Sequence, residues 1–142
     1  MDYIIGFITT TLGTILGYFL SERSVRRNEF RNASDKLKDA FLDELITFER
    51  ATLEIEGTIV YKVLLRAYGK HCAAIYRFNS NLTGQKLVDF NAAWHQYHYP
   101  DNNTDNGPLG YYITPDEHGN VRMIKPEFVS HKISTLLSYA NP

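Results

Sequence analysis

The stretch YIIGFITTTLGTILGYFL, Tyr3 to Leu20, runs eighteen residues without a charge. As an α-helix at 1.5 Å per residue it is roughly 27 Å long, close to the ~30 Å hydrocarbon core of a bilayer. Tyr3 stands near one end and Tyr18 with Phe19 near the other, where amphipathic rings favour the headgroup layer. A buried core helix of a soluble protein is the alternative, and an uncharged run at an extreme terminus fits it poorly. A cleaved signal peptide fits no better, since the charged n-region is missing and no A-x-A-like site follows. The run predicts an uncleaved transmembrane helix over residues 1–20.

The flanks set its expected topology. Arg23, Arg26, Arg27 and Arg31 follow the span, whereas only Met1 and Asp2 precede it. Basic flanks stay cytoplasmic, which places the N-terminus outside and the remainder inside. The Asn-X-Ser/Thr triplets at Asn32, Asn81 and Asn102 would matter only in the reverse topology. Within the span, Gly6, Thr10, Gly13 and Gly17 fall at spacings of four, three and four on one stripe. Such small residues let helix backbones approach in lipid, so this face is expected to pack a homo-oligomer. The plainer reading is that Gly and Thr are simply frequent in spans.

Beyond the span, nothing breaks a helix from Ser21 to about Leu53, and Gly57 is expected to stop or kink it. Phe30, Ala33, Leu37, Phe41, Leu45 and Phe48 form an apolar stripe along this juxtamembrane rod. A second helix is expected over residues 58–78, burying Val60, Val63, Leu64, Ala67, His71, Ala74, Ile75 and Phe78. Lys62, Arg66 and Lys70 lie at i, i+4 and i+8 on another face, either a solvated stripe or a cradle for an anion. Thr83 is a plausible N-cap for a third helix, which carries Leu87, Phe90, Trp94 and Tyr97 and ends before Pro100. YYIT and VRMI around PDEHGN read as a β-hairpin turning at Gly119-Asn120, and Pro126 suits the first turn of a last helix. The expected fold class is mainly α: one N-terminal transmembrane helix (1–20), a juxtamembrane amphipathic helix (21–56) and a small cytoplasmic ligand-binding domain (57–142) with one small β-hairpin.

Composition narrows the chemistry. The 142 residues carry a formal net charge of −1, so there is no broad basic field for long nucleic acid. Cys72 is the one cysteine, which excludes an internal disulfide and a Cys2His2 zinc site. No G-x-S-x-G, HExxH, GxxxxGK[ST] or GxGxxG occurs, and His95, His98 and Asp101 alone make a weak metal set. An enzyme is not expected, and no cofactor or metal motif stands out.

The segment WHQYHYPDNN, Trp94 to Asn103, concentrates flat, hydrogen-bonding side chains. In one reading Trp94 and Tyr97 are core and the asparagines are turn formers. In the other, Tyr97, His98, Tyr99 and Tyr111 offer stacking surfaces for a base, while Asn102 and Asn103 pair with an adenine edge. Arg66 and Lys70 would then neutralise phosphates.

The layout of a short exterior end, a GxxxG-bearing span, the FRNASDKL rod and a body containing KHCAAIYRF and FNAAWHQY resembles small bacterial membrane-anchored proteins. Among these it resembles the CRISPR-associated membrane effectors of type III antiviral defence that sense cyclic tri-adenylate. The resemblance implies a single-pass protein of the bacterial inner (plasma) membrane whose cytoplasmic domain binds cyclic oligoadenylate as a tetramer and perturbs the bilayer. It transfers no individual residue. The alternative is a membrane-tethered scaffold that docks a partner protein without ligand gating.

Overall fold

The computed structural model describes the backbone of residues 2–141 and the side chains of residues 13–141. Helix α1 spans Asp2–Arg50, followed by strand β1 (Ile55–Glu56) and helices α2 (Gly57–Asn79) and α3 (Gly84–His98). Two single 3-10 turns (Pro100–Asn102 and Gly110–Tyr112), strand β2 (Met123–Ile124) and helix α4 (Pro126–Ser138) complete the chain. The protein is mainly helical with one small two-stranded antiparallel sheet.

The rod expected from the sequence is one helix of 49 residues. From Phe30 onward its apolar stripe packs against α2 and α4, with Leu37, Phe41 and Phe48 buried. Residues 30–48 thereby share one core with α2, α3 and α4, to which Phe78, Phe90, Tyr97, Val129 and Leu136 contribute. From Gly13 to Glu29 the same helix is exposed, apart from a half-buried Glu22. Among the described residues no helix is long and apolar enough to cross a membrane. The side chains of residues 3–12 of the expected span, and with them Gly6 and Thr10 of the packing stripe, lie outside the described residues. At Gly13 and Gly17, nothing stands within 4 Å of where a Cβ would be, so that stretch of the stripe is open.

Gly57 does not end α1. The helix stops at Arg50, and Gly57 opens α2, where any Cβ would collide with the Tyr112 carbonyl oxygen. Its N–H donates to the Arg122 carbonyl at 2.8 Å, so only glycine allows the three segments to meet this closely.

The hairpin expectation is corrected. Met123–Ile124 pairs not with YYIT but with the segment leaving α1, in the register Ile55 to Ile124 and Glu56 to Met123. The turn between YYIT and VRMI does form, with Asp116 accepting from the His118 and Asn120 N–H groups, and of the expected left-handed pair Gly119 is left-handed at φ 78° while Asn120 is not. The first flank departs because its two tyrosines are held apart. Tyr112 is buried in the core, while Tyr111 stacks on Phe128 at the start of α4 with ring centroids 5.7 Å apart. That pull winds Gly110–Tyr112 into a 3-10 turn and leaves no extended strand for β2.

Candidate functional site

Helix α3 ends where Pro100 cannot continue it, and the chain turns on two left-handed residues, Asp101 (φ 53°) and Asn102 (φ 56°). The loop is pinned back by the Leu109 N–H, which donates to the His98 carbonyl at 2.7 Å. Leu109 is itself left-handed (φ 64°) and fully buried, a conformation a bulky residue adopts only when its surroundings impose it. The WHQYHYPDNN segment is therefore a fixed end of the domain.

The residues proposed for a ligand site separate into three places. Tyr97 is corrected outright: it is 0% exposed, so its ring cannot serve as a stacking platform. His98 and Tyr99 remain half-buried at the end of α3, with ring centroids 4.5 Å apart. Beside them Tyr68 of α2 stacks on Trp94 at 6.0 Å. Asn102 is exposed and accepts from Gln96 Nε2 at 2.9 Å, while the half-buried Asn103 accepts from the Asp105 N–H at 2.9 Å. Tyr111 lies elsewhere, between Phe128 and the Arg122 guanidinium 4.3 Å from its ring centre.

Arg66 and Lys70 face away from this aromatic end. Tyr68 and Lys70 are two residues apart, about 200° around the helix axis. Tyr68 meets α3, so Lys70 meets α1, 3.5 Å from Glu44 Oε2 and 3.9 Å from Asp43 Oδ2. Arg66, one turn earlier on the same face, is exposed. The basic stripe and the Tyr/His/Asn segment do not form one pocket.

Sequence reasoning missed a polar chain through the core. Tyr97 Oη lies 2.8 Å from His71 Nδ1, and His71 Nε2 lies 3.2 Å from Glu44 Oε2. The His71 ring stacks on Phe41 at 3.9 Å and is fully buried. Burial pushes its pKa below 6.5, against the opposing pull of the Glu44 carboxylate. A neutral imidazole with its proton on Nε2 satisfies both neighbours: the Tyr97 hydroxyl donates to Nδ1, and Nε2–H donates to Glu44. Burial likewise raises the Tyr97 phenol, which stays protonated as this arrangement requires. Three helices, α1, α2 and α3, are thus joined by one hydrogen-bonded line. The available clue was Glu44 itself, three residues after Phe41 and four before Phe48, on the apolar stripe.

The space that remains open beside Asn102 is a groove of about 400 Å³ between α3 and α4. Ala92 and Ala93 keep its floor low, Gln96 carries the contact to Asn102, and His131, Lys132 and Thr135 form the opposite wall. Lys132 is half-buried with its ammonium 4.8 Å from the Phe128 ring centre, and burial lowers its pKa while Asp101 opposes the shift. His98 is held by its Nδ1–H, which donates to the Trp94 carbonyl at 2.6 Å; burial lowers its pKa, with that carbonyl opposing. Among the described residues no three His, Cys, Asp or Glu side chains converge as a metal site. The groove offers an amide, an imidazole, a hydroxyl, the Tyr139 ring and one cation around an apolar floor, with the Asp89 carboxylate, which accepts from Gln85, at its other end, a set suited to holding a polar ring. Compared with protein-family models, curated proteins and solved structures, the chain matches none.

Proposed function

We propose that this protein is a single-pass inner-membrane effector of antiviral defence, with residues 1–20 in the bilayer, the N-terminus outside and the helical body in the cytoplasm. Its body binds a small adenine-bearing second messenger, cyclic oligoadenylate, and passes the event to the membrane segment along α1. The observation that carries this reading is the continuity of α1. One helix of 49 residues holds part of the body's core and extends, exposed, into the uncharged segment. Any change in how α2 to α4 seat on residues 30–48 is therefore transmitted to residues 13–20 without an intervening hinge.

The ligand would occupy the α3/α4 groove, with Gln96, steadied by Asn102, and His131 as its polar contacts and Lys132 as the phosphate partner, while His98 and Tyr99 lie on the α2-facing side of α3. Tyr97 holds the groove from behind through His71. Several copies, a tetramer by the resemblance above, would repeat this groove around an axis, which suits a ring-shaped ligand. The ligand moves the membrane segments only by preferring one arrangement of copies, and about 1.4 kcal/mol of preference changes their ratio tenfold.

Calorimetry of the full chain in nanodiscs with cyclic tri-adenylate tests this. Saturable heat that Lys132→Ala reduces is expected, and a flat titration removes the ligand. The scaffold alternative draws on Lys62 and Arg66, both exposed and without an ion pair among the described residues. A partner captured through that face, and lost when both are neutralised, would favour it.

A further inference from the structure

Where the exposed half of α1 meets the body, a second and smaller pocket is built from different chemistry. Arg27, Arg31, Ser34 and Lys38 follow spacings of four, three and four, so they share one face of α1. The turn just after α4, through the buried Ala140, closes the other side, leaving a space of about 200 Å³. Phe30 forms its apolar wall and Asp35 supplies one carboxylate against the three cations. None of these four charged groups is ion-paired among the described residues, and Lys38 Nζ donates only to Asn141 Oδ1, at 3.1 Å.

The independent observation is Ser34. It is 3% exposed, forms part of the pocket wall, and its Oγ has no hydrogen-bond partner. A buried hydroxyl without a partner is unfavourable, and an acceptor in the pocket would relieve it once the Ser34 side chain turns toward the opening. Two arginines and a lysine present donors only, and the serine hydroxyl can add another, a combination that matches the several acceptor oxygens of a phosphate. The excess of positive charge excludes a cation as the occupant.

We propose that this pocket binds a phosphate group, carried either by an anionic phospholipid or by a soluble phosphate ester. Its Arg27 end favours the lipid, a preference that rests on the membrane reading above. Arg27 is seven residues past Leu20, about 10 Å along the helix, and Ser34 fourteen, about 21 Å, whereas each headgroup layer adds ~5–8 Å to the hydrocarbon core. A lipid therefore reaches the pocket from its Arg27 end, and a tilted α1 brings Ser34 down to it. A bound headgroup would clamp α1 to the turn after α4, fixing the body's orientation on the membrane.

The test uses the full chain in a maltoside detergent, which carries no phosphate. Its thermal midpoint is followed after adding phosphatidylglycerol, diacylglycerol or sn-glycerol 3-phosphate. Phosphatidylglycerol should raise the midpoint by several degrees and diacylglycerol should not. The paired change Arg27→Gln and Arg31→Gln should abolish the gain, whereas Arg23→Gln with Arg26→Gln, equal in charge but outside the pocket, should keep most of it. Ser34→Ala should fold without loss of baseline stability yet shrink the gain. A gain with glycerol 3-phosphate of the same size, lost in the same variant, assigns the pocket to soluble phosphate esters. The proposal is overturned if no phosphate-bearing probe shifts the midpoint, or if the Arg23/Arg26 pair loses the gain equally. Alkaline carbonate extraction of the same protein from cells reports separately on membrane insertion, so either idea can fail alone.

Discussion

The two halves of α1 share one backbone and meet opposite surroundings. Between Gly13 and Glu29 large apolar side chains stand open, with Tyr18 at 69%, Phe19 at 57% and Leu20 at 66% exposure. Between Phe30 and Phe48 the stripe closes, and Leu37 and Phe41 are fully buried. Helical continuity here therefore comes from the absence of breakers, not from packing. Past Gly17, neither glycine nor proline interrupts the run to Arg50, and the packed half supplies a nucleus from which the open half can propagate. An open apolar face of this kind is ordinarily covered by lipid or protein, which is why the proposal places it against the membrane.

Cutting into the packed half should produce the largest effect. Phe41 stacks on His71 and sets its ring edge against Tyr97 at 5.6 Å, so Phe41→Ala opens a cavity at the junction of three helices. A loss of about 3–5 kcal/mol is expected, read from urea denaturation of the purified chain. A loss below about 1 kcal/mol would mean that this half of α1 does not carry the core.

Next comes the polar chain. Tyr97→Phe keeps the ring and removes the hydroxyl, leaving His71 Nδ1 buried without its donor. About 1–3 kcal/mol should be lost, with the fold intact by circular dichroism. Ligand binding in the α3/α4 groove should persist, because Tyr97 is not part of its surface. Binding abolished with stability unchanged would instead restore Tyr97 as a contact residue.

Tyr97 also illustrates what could be read from the sequence and what could not. The helices were legible because their apolar spacing is a local property: Val60, Leu64, His71, Ile75 and Phe78 all lie on the buried face of α2 as expected. Pro100 ended α3 for equally local reasons. The same 3.6-residue logic placed Tyr97 on the core face, seven residues after the buried Phe90, yet its hydroxyl also invited a binding role. Only a partner 26 residues away decides between the two, and spacing within one helix carries no information about it. The β1–β2 pairing was hidden for a similar reason. Each strand has two residues, too few for any alternation to show, and the close approach of Gly57 to Arg122 and Tyr112 selects the partner. The α3/α4 groove escaped because its walls come from separate helices, and His131 and Lys132 look like ordinary surface until α4 docks.

Acid should weaken the packed half by a smaller and graded amount. The pKa of His71 is pushed below its ordinary value of 6.5 by burial, and that of His98 is lowered for the same reason. In the window beneath that value the unfolded chain binds protons that the folded chain refuses. The stability contributed by the neutral rings is therefore complete above it and lost as pH falls through the folded values. The thermal midpoint should decline steadily from about pH 6.5 to about pH 5, before most carboxylates titrate. In His98→Gln the decline should persist, since His71 between Glu44 and Tyr97 remains. A midpoint that is flat across the window would place a charged His71 in the core and reverse the proton assignment along the chain.

The smallest effect is expected from the open half, and it is the sharpest check on the comparison. Phe19→Ala removes the same side chain as Phe41→Ala from the same helix, but Phe19 is 57% exposed and among the described residues its one ring neighbour is Tyr18, at 6.3 Å. The unfolding free energy of the body, read from urea denaturation, should therefore change by no more than about 0.5 kcal/mol. Retention in the membrane fraction should fall in proportion to the apolar area removed, roughly 25 cal/mol per Å². Two substitutions of identical chemistry, 22 positions apart, would then separate a residue that builds the domain from one that tethers it. If Phe19→Ala instead destabilises the body, the first half of α1 folds back on the domain in solution, and the rod cannot transmit the state of the body to residues 13–20.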